Sequence, residues 1–528
     1  MNRRQTKTVQ IGSVQMGGSN PIRVQSMLNT FTTDTDACVA QAIEVIEAGG
    51  ELVRLTTQGV KEAANMANIK AALRAKGFNT PLVADVHFNP KVADEAALHV
   101  EKVRINPGNY AATYDEIRAK FIPFLALCKE HGTAIRIGVN HGSLGARMMD
   151  QYGDTPEGMT ESCLEFLRIC QEQDFNNVVI SVKASNTRVM IHTVRQMVRR
   201  MDAEGLNFPI HLGVTEAGEG EDGRIKSAVG IGTLLLEGIG DTIRVSLSED
   251  PANEIPVAKQ LVALAEKAMK AEVQESGTST SSVTDSFSTV EVPDSKTNLN
   301  WFNGEIYTRR QSTAVGEIGG GALPVVWNAS IPVPQGVTLM VLDQANPLEQ
   351  GRLLFAKMHQ EGNNSPVIVY KKYTDISLQE LQLTAAAELG NFFIDGLADG
   401  ICIDAPGIDP AALEALGYSI LQAARARMSK TEYISCPSCG RTLFDIQSAI
   451  ARIKAKTSHL STLKIGIMGC IVNGPGEMAD ADYGYVGAGR GKISLYKGQT
   501  CIEKNIPEDE AVDRLIDLIK AHGDWVEP

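Results

Sequence analysis

Three cysteines in the last hundred residues carry the sharpest chemical signal in the sequence. Cys436 and Cys439 form a Cys-x-x-Cys pair in SCPSCGR, and Cys470 follows a predicted strand in KIGIMGCIVNGPGE. Such a pair is shared by zinc ribbons, redox disulfides and iron–sulfur sites, but a third cysteine argues against a simple redox pair. A helix expected to begin near Arg441 would favour thiolates through its dipole and free N–H groups. These residues predict a metal centre.

The residue types alone leave the metal open between zinc and iron. Zinc would need a fourth Cys or His, and Cys501 and His459 are candidates. Glu477, in NGPGE, is a less usual fourth ligand. Because a carboxylate is a hard, exchangeable ligand beside thiolates, it would suit an iron that must open to substrate. The NGPG turn would bring Glu477 back towards Cys470, and the alternative is an exposed loop carboxylate.

A second set of candidate residues is basic. In ELVRLTT, alternation along a strand points Arg54 into a barrel while its apolar neighbours face the helices. Five of eight predicted strands direct a cation towards one axis in this way: Arg54, Arg104, Arg136, Lys183 and Arg244. The interior carboxylates that could pair with them are Asp85 and Glu216. Buried cations in excess of carboxylates are costly, so they predict a phosphate or diphosphate ligand. Further polar side chains at the strand ends are His87, Asn106, Asn140, Ser143, Thr215 and Ser246.

The elements that must position these cations are eight short apolar runs, separated by amphipathic helical stretches. The runs are IRVQSM, ELVRLTT, PLVADVHF, EKVRINPG, AIRIGVNHG, VVISVKAS, IHLGVTEAG and DTIRVSLS. Eight βα units of this size predict a TIM (β/α)8 barrel, whose active site lies at the carboxyl ends of the strands. The alternative, a doubly wound sheet, usually opens with a glycine-rich turn, which QSMLNT lacks.

Composition divides the chain of 528 residues into an α/β protein of three domains. We expect the barrel over residues 1–272, a flexible Ser/Thr-rich linker over 273–300, an inserted α/β domain over 301–428 and an α+β metal domain over 430–528. In the inserted domain the predicted strands are VVWN, VTLMVLD, SPVIVYKKY, FFIDGLADG and ICIDAP, with LQELQLTAAAELG as a helix. It carries no evident catalytic set, so a spacer or interface role is expected.

Charge and composition exclude several classes of function. The net charge of −13 disfavours coating of nucleic acid, and no apolar run is long enough to span a membrane. The first residues lack the apolar core of a signal peptide, and the nine scattered cysteines do not suggest a disulfide framework. A bacterial cytoplasmic enzyme is expected.

The motifs together resemble a known family. The set ELVRLTT, ADVHF, VRINPGN, IRIGVNHGSLG, VKAS, GVTEAG and IRVSLSEDP, followed by SCPSCGRTLFD and MGCIVNGPGE, is similar to the 4-hydroxy-3-methylbut-2-enyl diphosphate synthases, in the long form with an inserted domain. The resemblance implies reductive dehydration and ring opening of 2-C-methyl-D-erythritol 2,4-cyclodiphosphate, in the methylerythritol phosphate route to isoprenoids. The implied electron donor is flavodoxin or ferredoxin, and a homodimer is possible.

The resemblance also assigns residues. It implies a [4Fe–4S] cluster held by Cys436, Cys439 and Cys470, with Glu477 at the fourth iron. The implied substrate ligands are Arg54, Arg104, Asn106, Arg136, Asn140, Lys183, Thr215, Arg244, Ser246 and Asn473. The implied catalytic residues are Glu216, as a proton donor, with Glu477, Asp85 and His87.

Two other functions fit parts of the pattern. A zinc-dependent barrel lyase would use Lys183 as a Schiff-base residue and the last domain as a zinc ribbon. An RNA-binding protein would use the barrel with a zinc ribbon, but the negative charge and the lack of an aromatic and basic platform count against it.

Overall fold

The computed structural model describes residues 3–86, 89–275, 303–471 and 474–528, which fold into two compact units. The barrel unit comprises Gln5–Gly223, Gly240–Lys259 and Lys430–Pro528. The insert unit comprises Arg224–Ile239 and Gln260–Ser429, with the residues up to Arg4. Two helical segments of the predicted barrel sequence, 224–239 and 260–272, therefore group with the inserted domain.

The barrel unit contains the eight predicted barrel strands, so the expectation of a (β/α)8 barrel is confirmed. An antiparallel hairpin of β1 (Val9–Ile11) and β2 (Val14–Met16) precedes them. The barrel strands are β3 (Arg23–Met27), β4 (Leu52–Thr57), β5 (Leu82–Val86), β6 (Lys102–Ile105), β7 (Ala134–Asn140), β8 (Val178–Lys183), β9 (His211–Leu212) and β10 (Thr242–Ile243). They form one parallel sheet in the order β8-β7-β6-β5-β4-β3-β10-β9, and a bridge between Ile180 and Ile210 closes it.

Helices follow the strands as the βα pattern predicts. They are α1 (Thr35–Glu47), α2 (Val60–Ala75), α3 (Pro90–Ala97), α4 (Tyr114–His131), α5 (Ala146–Tyr152), α6 (Pro156–Glu172), α7 (Thr187–Ala203), α8 (Gly220–Ser227), α9 (Thr233–Leu236) and α10 (Glu254–Glu275). A π-helical segment, Ala228–Gly232, joins α8 to α9. The hairpin packs its buried Val9, Ile11 and Met16 against the first residues of the barrel strands. Apolar residues thus fill one end of the barrel, which leaves the carboxyl ends of the strands for polar groups.

The predicted linker 273–300 begins inside a helix, because α10 continues to Glu275. The rest of the segment lies outside the described residues. No helix in the described ranges has the length and apolar character that crossing a bilayer requires.

The insert unit contains a four-stranded parallel sheet. A hairpin of β11 (Ala314–Val315) and β12 (Ile318–Gly319) precedes it, and the sheet order is β13-β16-β15-β14. Its strands are β13 (Val325–Val326), β14 (Thr338–Val341), β15 (Val367–Lys372) and β16 (Gly400–Asp404). Its helices are α11 (Pro347–Gln360), α12 (Leu378–Leu389), α13 (Asn391–Ile394) and α14 (Pro410–Ala423).

One predicted strand of this sheet is wrong. The run FFIDGLADG begins in helix α13, which directly follows α12 through Gly390 in the right-handed helical conformation. Phe392, Phe393 and Ile394 are all buried. A short apolar run that is buried on every side has no distinguishing period, so its sequence does not separate strand from helix.

A buried arginine ties the inserted segment to a helix of the barrel sequence within the insert unit. The Arg352 Nη2 atom lies 2.6 Å from Glu237 Oε1 and 2.8 Å from Asp395 Oδ2. All three residues are buried. Because Arg352→Met would remove the cation that lies between two buried carboxylates, we expect the free energy of unfolding to fall by about 3–5 kcal/mol in urea titrations.

The matched control for this prediction is Lys372→Met. Lys372 forms an ion pair of 3.8 Å with Asp404, and its side chain is 55% exposed. An exposed pair of this kind contributes less than about 1 kcal/mol. Equal losses in the two variants would contradict a stabilising role for the buried Arg352 cluster.

The last segment of the barrel unit is a five-stranded mixed sheet. Its strands are β17 (Glu432–Ser435), β18 (Lys464–Met468), β19 (Tyr483–Gly489), β20 (Lys492–Lys497) and β21 (Thr500–Pro507), paired in chain order. The first three are parallel and the last three antiparallel. Its helices are α15 (Ile446–Thr457), α16 (Gly474–Glu477) and α17 (Ala511–Ala521). The cysteines follow the ends of β17 and β18, so two neighbouring parallel strands bring them to one edge of the sheet.

Candidate active site

One cavity of the barrel unit brings the basic strand ends and the cysteine loops of a single chain together. Most of the residues singled out by the sequence line it: Arg54, Asp85, Arg136, Asn140, Lys183, Thr215, Glu216, Arg244, Ser246, Cys436, Cys439, Cys470 and Glu477. Arg54 and Arg136 lie in the first half of β4 and β7 and point into the barrel. The other barrel residues lie near the carboxyl ends of the strands or in the loops that follow them, where barrel active sites are built. The sequence prediction did not establish that both sets would share one cavity.

Two of the predicted substrate ligands, Arg104 and Asn106, lie in the described part of the chain but do not line the cavity. Arg104 lies behind the lining, where it donates to the Gly138 carbonyl oxygen at 2.9 Å. Asn106 donates to Ser143 Oγ at 3.2 Å and accepts from the Gly108 amide at 3.2 Å, so it holds a turn. His87 and Asn473 lie outside the described residues.

Carboxylates neutralise several of the interior cations. Arg54 and Arg104 both pair with Asp85, at 2.7 and 3.2 Å. Arg244 donates from Nε and Nη2 to the two carboxylate oxygens of Glu254, both at 3.0 Å. Asp85 was among the expected partners, whereas Glu254, at the start of α10, was not. Each of these three arginines therefore has a carboxylate partner before any ligand binds, although two of them share Asp85.

Arg136 is not compensated in this way. It is 2% exposed, and its Nε and Nη1 atoms are buried without a hydrogen-bond partner among the described residues. Burial, followed by the charges of Arg54 and Arg104, lowers its pKa well below the usual range. Burial and neighbouring arginines, Arg136 first, likewise lower the pKa of Lys183. An anionic ligand in the cavity would supply the missing negative charge.

Two glutamates meet on the other side of the cavity. Asn140 Nδ2 donates to Glu477 Oε1 at 2.8 Å, and Glu216 shares a hydrogen bond with Glu477. Burial, and then the adjacent Glu477 carboxylate, raise the pKa of Glu216 well above its usual range. Glu216 also adopts a φ of 48°, in the left-handed region that residues other than glycine rarely occupy. A strained carboxyl group with a raised pKa at a cavity wall is typical of a proton donor.

The three cysteines lie on loops, and backbone N–H groups face the sulfur of Cys436. All are free thiols, and the Gly469 amide donates to Cys436 Sγ at 3.2 Å. Within the described ranges, no group of three His, Cys, Asp or Glu side chains converges on one metal-ion position. The zinc candidates lie elsewhere: His459 Nε2 is 2.8 Å from the Val526 carbonyl oxygen, and Cys501 is not among the described residues that line the cavity.

The prediction of a helix beginning near Arg441 is wrong. Helix α15 begins at Ile446, and its N-cap Asp445 accepts from the Ser448 amide. The helix therefore does not follow the Cys-x-x-Cys pair directly in the chain. Arg441 itself lines the cavity. It was not among the site residues predicted from the sequence, although its position two residues after Cys439 could have indicated one.

Backbone contacts join the cysteine loops to the barrel within the barrel unit. Ser248 Oγ donates to the Cys436 carbonyl oxygen at 2.9 Å. Gly476 packs so closely on Gly142 that a Cβ atom at Gly476 would lie 2.4 Å from the Gly142 carbonyl oxygen. Since Gly476 precedes Glu477, this glycine contact determines how near Glu477 comes to Asn140.

We expect Gly476→Ala to lower kcat/KM by about 100-fold, because the clash is with backbone and must displace the Glu477 loop. Steady-state kinetics under anaerobic conditions would measure this decrease in kcat/KM. Gly489→Ala is the control, because a Cβ atom there would meet open space. Normal turnover of Gly476→Ala, with iron content unchanged, would show that the close approach is dispensable.

Comparisons with known proteins match both parts of the barrel unit and the whole chain. The GcpE TIM-barrel domain matches residues 6–259, and the GcpE protein C-terminal domain matches residues 432–521. The chain is 51% identical to the 4-hydroxy-3-methylbut-2-en-1-yl diphosphate synthase (flavodoxin) of Phocaeicola vulgatus, over 100% of this chain and 99% of the relative. The proteins of that name from Akkermansia muciniphila and Protochlamydia amoebophila are 44% and 40% identical, over 100% of this chain and 98% and 97% of theirs.

Solved structures align less well. Dihydropteroate synthase of Burkholderia cenocepacia covers 51% of this chain and 99% of its own, at 15% identity and a TM-score of 0.37, and we draw nothing from it. The two family models and the full-length relatives are enough to assign the family. The chain belongs to the GcpE family, the 4-hydroxy-3-methylbut-2-en-1-yl diphosphate synthases.

Proposed function

We propose that this protein converts 2-C-methyl-D-erythritol 2,4-cyclodiphosphate to 4-hydroxy-3-methylbut-2-enyl diphosphate, with flavodoxin as electron donor, in the methylerythritol phosphate pathway. The observation that carries the proposal is the shared cavity, in which uncompensated cations of the barrel face three free thiols. The cations suit a diphosphate, and the thiols suit a redox centre. The reaction takes up two electrons and one proton and releases one water, so the diphosphate substrate and the redox centre must share one cavity.

We assign the redox centre to a [4Fe–4S] cluster bound by Cys436, Cys439 and Cys470, with Glu477 as the fourth ligand. In such a cluster each thiolate binds a different iron, so the ligands surround a cavity and need not converge on one ion. The Gly469 amide at Cys436 Sγ is the kind of N–H group that stabilises a metal-bound sulfur. When bound, the cluster supplies single electrons and a Lewis-acid iron.

The protein's own residues then have separate tasks. Arg136 and Lys183 bind the diphosphate, and Arg54 and Arg244, held by Asp85 and Glu254, present fixed cations beside it. Glu216 holds a proton at the cavity wall for the oxygen that leaves as water. Asn140 orients Glu477 through the 2.8 Å hydrogen bond. Arg104 supports this arrangement from behind through Asp85.

Residues 301–428 are proposed to act as a spacer or interface domain. Inside the insert unit, Gly232 lies so close to Ala387 that an added Cβ atom would be 2.4 Å from the Ala387 side chain. With the buried Arg352 cluster, this contact supports close packing of residues 224–239 on the inserted segment within the insert unit. A cytoplasmic location is proposed as well, since all nine cysteines are free thiols, as a reducing compartment favours.

The test is metal analysis of protein purified without oxygen, combined with EPR of the reduced sample before and after addition of the cyclic diphosphate. About four irons and four sulfides per chain, with a spectrum that the substrate perturbs, are expected. Cys470→Ser should lose the cluster, whereas Cys501→Ser, outside the cavity lining, should retain it. Stoichiometric zinc without sulfide would overturn the proposal and favour the zinc lyase, which borohydride trapping at Lys183 would then identify.

A further inference from the structure

Arg441 differs from every other cation that lines the cavity. The others, Arg54, Arg136, Lys183 and Arg244, belong to the barrel, whereas Arg441 belongs to the cysteine loop itself, two residues after Cys439. The preceding Gly440 packs against a barrel loop, because a Cβ atom there would lie 2.8 Å from the Thr30 carbonyl oxygen. The backbone of Arg441 is thus held where the loop meets the barrel.

The guanidinium group of Arg441 is directed at the cysteines. It donates a hydrogen bond to the Cys439 side chain, and the charges of Cys439, Asp85 and Cys470 all act on it. An arginine side chain is not deprotonated in proteins, so the group stays cationic. Its Nε atom is buried without a hydrogen-bond partner among the described residues. Arg441 therefore places a permanent positive charge between the thiols and the carboxylate that holds Arg54 and Arg104.

A fixed cation that donates to a ligand sulfur favours the reduced form of a metal–sulfur centre. Reduction adds one negative charge, and hydrogen bonds to sulfur and nearby net charge are among the factors that set the potential. The low local dielectric of a buried site enlarges this effect. We propose that Arg441 raises the reduction potential of the cysteine-bound cluster, so that a flavodoxin can reduce it. This inference rests on the cluster assignment under the proposed function.

No proton needs to move in this role. One electron passes from the reduced flavodoxin to the cluster, the flavodoxin is oxidised by one electron, and Arg441 keeps its charge throughout. Arg441 is thus a positioning residue for charge, which acts through the cluster and is distinct from the barrel cations proposed to bind the diphosphate.

The test is an EPR-monitored redox titration of the reconstituted protein without substrate. At a fixed applied potential, Arg441→Gln should lower the ratio of reduced to oxidised cluster at least tenfold relative to the wild type, which is 59 mV for one electron. Arg441→Lys keeps the charge but loses the planar fork, so a smaller decrease is expected. Arg514→Gln, which removes an exposed arginine of α17, is the control and should leave the ratio unchanged.

Each result decides the question. An unchanged ratio in an Arg441→Gln protein that holds four irons would overturn the inference, and so would an equal decrease in the lysine variant. If Arg441 acted only in substrate binding, the ratio of reduced to oxidised cluster would not change in substrate-free protein, so the titration would also detect that case. If the Arg441→Gln protein loses iron, the Arg441→Lys protein provides the test. An unchanged ratio of reduced to oxidised cluster in the lysine variant would contradict a role for the hydrogen bond. If the wild type holds no iron, it is the proposed function that fails.

Discussion

Replacing Glu216 by glutamine should lower kcat by about 10²–10⁴-fold, the usual contribution of a general acid. The side chain is buried and hydrogen-bonded to Glu477, and burial and that neighbouring carboxylate raise its pKa, which favours the protonated form. Glutamine has nearly the same shape and can still donate a hydrogen bond to Glu477, but it cannot give up a proton to a leaving oxygen. Single-turnover measurements with chemically reduced enzyme would separate this step from electron delivery.

The control for this prediction is Glu219→Gln, three residues further along the same loop. Glu219 forms a 2.8 Å ion pair with Lys454 at the edge of the barrel unit, and its side chain is 28% exposed. Its removal should change turnover less than twofold. Full turnover of Glu216→Gln, with four irons and normal substrate affinity, would remove Glu216 as the proton donor and leave it a structural partner of Glu477.

The barrel could be predicted from the sequence because the same strand–helix pattern occurs eight times. Each strand, such as ELVRLTT, is a short apolar run between helical segments, and eight such units leave few alternatives. Alternation with a period of two also placed Arg54 and Arg136 on the inner face, where the structure has them. The prediction of a strand at FFIDGLADG was wrong because a segment buried on all sides shows no alternation of apolar and polar residues. The preceding helix α12 continues through Gly390 into α13.

The pairing of the site residues was beyond sequence reasoning, because it depends on contacts between distant segments. Arg244 was expected to need a ligand or an interior carboxylate, but Glu254 reaches it from the next helix. A helix N-terminus was expected directly after the cysteine pair, but the loop continues to Asp445 and brings Arg441 beside Cys439 instead. Motif spacing identifies the residues that could take part in the chemistry. Tertiary packing decides which of them remain without a partner.

Replacing Arg136 by methionine should have opposite effects on substrate affinity and on stability. The buried guanidinium has two nitrogen atoms without a partner among the described residues, and it is repelled by Arg54, Arg104 and Arg244. A diphosphate would satisfy both the charge and the donors. Because hydrogen bonds to charged groups contribute roughly 1.5–3 kcal/mol, the Kd of the cyclic diphosphate should rise about 10- to 100-fold.

Without ligand, the same substitution removes an uncompensated buried charge. Replacing such a charge by a well-packed apolar side chain is often stabilising, so the free energy of unfolding of the ligand-free protein should increase by about 1 kcal/mol. Calorimetric titration with the cyclic diphosphate and urea unfolding measure the two quantities. Arg23→Met is the control: Arg23 pairs with Glu51 at 2.6 Å, at the first residue of β3, and its loss should leave affinity unchanged and stability slightly reduced. A destabilised Arg136→Met protein with normal affinity would mean that Arg136 serves the fold and that the barrel cations are not arranged for an anion.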